Sequence, residues 1–154
     1  MSQRRQQTTE GRAGDLAPPL PDAPVNRFRN SFDSTPIETL TLVQALETIR
    51  TGHYHSELRL VRAILVHRGK AAYDKAKAQL SAFTFGGVFA PSRRNAHLQQ
   101  HSGIVHGDLD HLSDVAAVKQ AICRDPGTVY AFVSTSGGGL KLGVHVPVVA
   151  DTAG

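Results

Sequence analysis

Period-two alternation is the strongest constraint in this chain. It runs through Ile104-Val105-His106-Gly107-Asp108-Leu109-Asp110-His111-Leu112 and through the stretch from Val129 to Val146. That period belongs to strands, where every second side chain shares a face. In the first run Asp108 and Asp110 project together with His106 beside them, and Val105 and Leu109 point the other way. In the second run Leu140, Leu142, Val144 and Val146 share one side, and Lys141, Gly143 and His145 share the opposite one. Two such strands predict a sheet apolar on one face, with carboxylates and a lysine on a common open face.

A length of 154 residues fits one domain with a true core. No run approaches the roughly 20 apolar residues of a membrane span. The opening Met-Ser-Gln-Arg-Arg-Gln-Gln carries no apolar stretch, so no secretory signal is expected there. A single cysteine, Cys123, excludes an internal disulfide and a cysteine-cluster metal site. A reducing, cytoplasmic setting is the expectation that follows. The formal net charge of +4 permits a polyanionic partner without establishing one.

Residues 1–30 read as a disordered basic tail. Pro18, Pro19, Pro21 and Pro24 crowd together among Arg, Gln and Gly, and the tail is expected to be dispensable for folding. Thr35-Pro36 with Glu38 has the form of a helix start, and Ile37, Leu40, Val43, Leu46 and Ile49 recur at helical spacing up to Thr51-Gly52. Further helices are expected over 56–66 and 70–80, the latter with Lys70, Lys75 and Lys77 on its surface. Residues 82–89 read as a strand or hairpin broken by Gly86-Gly87. Its Phe83, Phe85 and Phe89 suit a core, or a platform for stacked bases. Arg93, Arg94, His97 and His101 form a basic stretch, either a charged loop or a phosphate contact. Ser113 is positioned to cap a helix with Asp114 in its first turn, and Asp125-Pro126-Gly127 to turn the chain into the second strand.

An Asp-x-Asp on one strand face suits a hard divalent cation that takes its remaining ligands from water and phosphates. Ser136-Gly137-Gly138-Gly139 is either a flexible hairpin turn or a nest of backbone N–H groups for phosphate. It is not a Walker loop, lacking the spacing to a Gly-Lys-Ser/Thr, and no helix opens after it as in a dinucleotide fingerprint. Taken together, Asp108 and Asp110 as metal ligands and the 136–139 turn with Lys141 as a triphosphate cradle suit a metal–nucleotide site. His145 stands further along the same strand face, and His106 reads as a support for the carboxylates.

These residues fall in a familiar order. Leu80-x-Ala82-Phe83-Thr84-Phe85-x-Gly87-x-Phe89 is followed by His101-Ser102-Gly103 and by Asp108-Leu109-Asp110-His111-Leu112. Asp125-Pro126 comes next, then Phe132-x-Ser134-x-Ser136-Gly137-Gly138-Gly139-Leu140-Lys141. Over roughly residues 36–147 the pattern resembles the VirE N-terminal-type domain, grouped with the archaeo-eukaryotic primase-polymerase superfamily. The resemblance implies an α+β fold: an RRM-like palm, a mixed or antiparallel sheet with helices on one face, preceded by a small helical segment. It implies a nucleotidyltransferase of the DNA primase/polymerase type that uses Mg²⁺ or Mn²⁺, with nucleoside triphosphates and a DNA template as partners. Asp108, Asp110 and Lys141 match its catalytic positions, with Lys141 where His is usual. Ser136, Gly137, Gly138, Gly139, Lys141 and His145 match its nucleotide-binding stretch.

The superfamily pattern includes a third Asp on a later strand. After Lys141 the sequence carries only Asp151. Two expectations follow. Residues 31–154 are the N-terminal portion of such a domain, continued in a longer chain by an Asp strand and a helicase-like segment. Otherwise the protein is an inactive relative that binds nucleotide or nucleic acid. A metal-dependent nuclease is a different class with similar carboxylates, and a non-enzymatic RRM-like module is disfavoured by the absence of aromatics between Asp108, Asp110 and Lys141.

Overall fold

The structure, a computed structural model, describes residues 22–147. Strands β1 (Pro24–Phe28), β2 (Glu38–Thr41) and β3 (Ala82–Thr84) form one antiparallel sheet with β1 in the middle. Between β2 and β3 lie α1 (Leu42–Arg50), α2 (His55–Arg68) and α3 (Lys70–Lys77). Strands β4 (Gly87–Phe89) and β5 (Leu98–His101) pair with each other. The last third holds β6 (Ile104–Leu109), α4 (Val115–Ile122), β7 (Thr128–Val133) and β8 (Leu140–His145).

In this last sheet the order is β6-β8-β7, and β8 runs antiparallel to both neighbours. Strands β6 and β7 are therefore parallel, with β8 inserted between them: a split β-α-β unit. Helix α4 lies beside β7, and its Ala121 and Ile122 line a cleft together with Leu142 and Val144 of β8. The expected α+β class with helices beside an antiparallel sheet is present. The expected single run over 129–146 is two strands joined by a turn.

The opposite face of this sheet is not open along its length. Ile104 and Tyr130 on that face join Val25, Leu42, Ala45 and Phe85 in the buried core. Phe83 and Phe132 pack against the same cluster. Phe85 is the hinge of this packing. Its backbone carbonyl accepts from the buried Ser102 hydroxyl at 2.6 Å, and that hydroxyl in turn accepts from the Ile104 N–H at 3.1 Å. The start of β6 is thereby tied to the loop that carries Phe85. Of the two readings of the phenylalanines, Phe85 takes the core one, at 7% exposure.

Three sequence expectations are corrected. First, the tail expected to be disordered to residue 30 contains β1, the central strand of its sheet, with Val25 and Phe28 fully buried. Residues 1–21 lie outside the described residues. Second, the helix expected from Thr35 starts at Leu42. Glu38–Thr41 pairs with β1 instead, supported by an Arg27–Glu38 ion pair at 2.7 Å. The working capping box is six residues later: the Thr41 hydroxyl accepts from the Gln44 N–H, and Gln44 Oε1 accepts from the Thr41 N–H. Third, α4 is capped by Asp114, whose carboxylate accepts from the Ala117 N–H at 2.9 Å, rather than by Ser113.

Asn26, 1% exposed, knits this region. It donates to the Thr39 hydroxyl at 3.0 Å and accepts from the Phe89 N–H at 2.6 Å, so one side chain joins β1, β2 and β4. Arg93 of the basic stretch also serves the fold. It bonds the Ser31 carbonyl and lies 5.0 Å from the centre of the Phe28 ring. Deleting residues 1–30 is therefore expected to abolish the cooperative unfolding transition. Phe28→Ala should lower the unfolding free energy by about 3–5 kcal/mol, read by denaturant titration, because the surrounding strands cannot close the void.

Candidate functional site

The β6–β8 register builds the site. Asp108 is the direct cross-strand partner of Lys141, His106 of Gly143, and Ile104 of His145. On the other side of β8, Lys141 faces Phe132 and Gly143 faces Tyr130. One face of the sheet thus carries two rows across three strands, Phe132–Lys141–Asp108 and Tyr130–Gly143–His106.

Charge and hydrogen bonds link these rows. Lys141 Nζ is 2.5 Å from Asp108 Oδ2, and His106 Nε2 is 3.3 Å from Asp108 Oδ1. The other ring nitrogen of His106, Nδ1, is 2.7 Å from the Tyr130 hydroxyl. The His106 ring is stacked on Phe85, centroids 5.5 Å apart. Polar groups therefore sit at the rim of an aromatic core, not on a bare open face. The expectation that no aromatic accompanies the carboxylate and the lysine is corrected: Phe132 and Tyr130 share their face.

Burial, more than charge, sets the protonation of His106. Desolvation holds its pKa below the ordinary imidazole range, against the opposing pull of Asp108. For Asp108, burial pushes upward, but the hydrogen bond and charge of Lys141, with His106, outweigh it and hold the carboxyl below the usual range. Burial, and then the charge of Asp108, push the Tyr130 phenol above its usual range, so it keeps its proton.

The other expected site residues are placed unequally. Asp110 lies beyond the end of the ladder, which closes at Leu109 and Leu140, and the chain turns away at His111 with φ 55°. Its Oδ1 stands 3.3 Å from where a Cβ on Gly139 would be, so Asp110 borders the glycine-rich turn. His145 is at the far end of β8, about 13 Å along the strand from Lys141 by strand rise, and does not join the turn.

The turn itself is locked. The Ser134 N–H bonds the Gly139 carbonyl at 2.9 Å and the Gly137 N–H bonds the Ser134 carbonyl at 3.0 Å, while the Gly138 N–H points at Ser136 Oγ at 3.3 Å. Two of the N–H groups expected to cradle phosphate are thus turned inward. Arg62 of α2, which no sequence signal singled out, donates to the Ser134 and Thr135 carbonyls at 3.2 and 2.9 Å. Gly139 and Gly143 have no free room beside their backbone. A Cβ on Gly139 would meet the Leu109 carbonyl, and one on Gly143 the Tyr130 ring.

Among the described residues no group of three or more His, Cys, Asp or Glu side chains is placed to hold a metal ion. Asp108 and Asp110 are two carboxylates two residues apart in the sequence. Such a pair fits Mg²⁺ or Mn²⁺ only when phosphates and water complete the coordination.

Both depressed pKa values make stability rise with pH. Below an unfolded value near 6.5 the unfolded histidine binds a proton that the folded ring resists, so the contribution of His106 fades as pH falls from there. That of Asp108 is present above the unfolded value of 3.8 and fades as pH falls through the lower folded value. The difference in unfolding free energy between the parent and His106→Gln should therefore shrink as pH falls below about 6.5, and that between the parent and Asp108→Asn only below about 4. Urea titrations over pH 3 to 8 check both.

With the geometry established, comparison adds a lineage. No curated protein and no solved structure matches the chain. A family model described as "BT4734-like, N-terminal domain" matches residues 75–152, which takes in everything from the end of α3 through β8. No described helix is long and apolar enough to cross a membrane. The match spans half of the chain and takes in β6, β7, β8 and the turn of the candidate site, so the protein belongs to the family of BT4734-like N-terminal domains.

Proposed function

We propose that this domain binds a nucleoside triphosphate at the rim of the β6-β8-β7 sheet, as the nucleotide-binding half of a DNA primase/polymerase-type nucleotidyltransferase. The observation that carries the reading is the Asp108–Lys141 pair, made by direct cross-strand partners, with Lys141 two residues beyond the end of the glycine-rich turn. A carboxylate and an ammonium so placed are the complementary halves of a metal–phosphate site, resting on each other while the ligand is away. The split β-α-β topology and the sequence resemblance to the VirE N-terminal-type domain support the same reading.

In this reading Lys141 leaves Asp108 for a phosphate oxygen, which suits a three-donor point charge. Asp108 is freed as an anionic ligand, Asp110 supplies a second carboxylate at the turn, and Ser136 offers a hydroxyl. Arg62 acts from behind, holding the turn's carbonyls so that its shape is fixed before the ligand arrives. A divalent ion bound with the nucleotide would neutralise phosphate charge and favour ionisation of an attacking hydroxyl. Transfer to a growing strand on a DNA template is the reaction such a site serves. A second reading, binding without transfer, is favoured by one observation: the described residues offer two neighbouring carboxylates and no third.

Exchange of the Lys141 partner gives opposite signs for two ligands. Lys141→Ala should weaken binding of a labelled triphosphate in Mg²⁺ by about 1.5–3 kcal/mol, the range for a charge-assisted hydrogen bond. The same variant should bind Mn²⁺ alone no more weakly than the parent, because Asp108 loses its competitor. Lys141→His should recover part of the triphosphate affinity near pH 6 and less near pH 8. Parental triphosphate affinity in Lys141→Ala would remove the phosphate role. Primer extension on a DNA template separates transfer from binding alone.

A further inference from the structure

We propose that Tyr130 is a positioning residue for Asp108, acting through His106 across the surface of Gly143. The proposal rests on the reading of Asp108 as the carboxylate of a nucleotide site. Tyr130, Gly143 and His106 form one row across β7, β8 and β6. Adjacent strands are about 4.8 Å apart, so the outer two backbones of the row are about 10 Å apart. Any side chain on the middle strand would stand between the outer two. Gly143 has none, and a Cβ there would collide with three atoms of the Tyr130 ring. The phenol therefore lies across β8, and its hydroxyl reaches His106 Nδ1 at 2.7 Å on the far strand.

The hydrogen-bond directions follow. Because the ionised Asp108 can only accept from Nε2, the Tyr130 hydroxyl, which keeps its proton, meets a bare His106 Nδ1 at 2.7 Å. It donates, and Nδ1 accepts. The single proton of the neutral ring is then on Nε2, which donates to Asp108 Oδ1 at 3.3 Å. Asp108 is held at Oδ1 by His106 and at Oδ2 by Lys141. When Lys141 turns to a phosphate, the His106 bond is the one that keeps the carboxylate from rotating away. Outer partners of this kind fix both the tautomer and the orientation of a ligating group.

Packing alone would also place a ring here: Tyr130 lies 5.2 Å from Phe85 and 5.8 Å from Phe132, centre to centre. Two variants separate packing from positioning. Tyr130→Phe keeps the ring and removes the hydroxyl. Gly143→Ala keeps the hydroxyl and displaces the ring. In the parent, the ¹⁵N shifts of His106 should show a bare Nδ1 and a protonated Nε2. In both variants the two tautomers should mix, and affinity for the Mn²⁺–triphosphate pair should fall about tenfold, the lower end for loss of an outer partner. A protonated Nδ1 in the parent overturns the proposal, as does Tyr130→Phe with parental tautomer and parental affinity. A parent that binds neither Mn²⁺ nor triphosphate overturns the nucleotide reading itself, and with it the role of Asp108, whatever the tautomer.

Discussion

The register of β8 between its two neighbours is the constraint on which the site depends. Because side chains alternate, a slip of one residue would turn Lys141 toward α4 and put Leu140 or Leu142 beside Asp108. Register is fixed from both sides. On one face Leu142 and Val144 line a cleft with Ala121 and Ile122 of α4, and on the other Ile104 and Tyr130 enter the core. At the end of the ladder, Gly139 lets β8 approach the Leu109 carbonyl so closely that no side chain fits. The polar pair is thus aligned by apolar packing it does not itself provide.

The pair sits where the aromatic core ends. Phe85, His106, Tyr130 and Phe132 form a continuous group of rings, and Asp108 and Lys141 lie at its border. Partial burial strengthens the attraction between the two charges by lowering the local dielectric, while each retains some contact with water. The Asp108 side chain is 46% exposed and that of Lys141 25%, so the carboxylate is the more accessible of the two. Such a pair is weak as a source of stability. Its value lies in holding two opposite charges at a fixed spacing.

Sequence legibility followed the range of the interactions involved. Alternation is local, and it gave the shared face of His106, Asp108, Lys141 and Gly143 correctly. Helices α2 and α3 were also legible, within a few residues at their ends. Thr35-Pro36-x-Glu38 misled because its rival was not local: residues 38–41 are a strand only because β1 lies beside them. β1 itself was hidden by the proline-rich composition around it, although Val25 and Phe28 are fully buried. Tyr130 and Phe132 carried a readable signal, since they alternate in step with each other. What was missing was the pairing that brings them opposite Gly143 and Lys141. Arg62 carried no signal, because its partners are backbone carbonyls more than 70 residues away.

The glycines of the last hairpin have causes inside the protein beside the one their motif suggests. A Ser/Gly-rich turn before a lysine suggests backbone opened to a phosphate. Here Gly137 is required by its φ of +86°, a left-handed conformation costly for other residues. Gly139 is required by the Leu109 carbonyl and Gly143 by the Tyr130 ring. Each is explained within the protein, and Arg62 holds the turn from outside. A turn so constrained is a poor cradle that closes on its ligand but a good frame that fixes where Lys141 and Asp110 stand. In the nucleotide reading proposed above, recognition rests on side chains presented by a rigid hairpin, with Lys141 as the mobile charge among fixed neighbours. Under that proposal, a lysine rather than a histidine at position 141 changes more than one donor. A neutral imidazole opposite Asp108 would leave the carboxylate charge uncompensated, whereas the ammonium neutralises it until a more negative ligand competes.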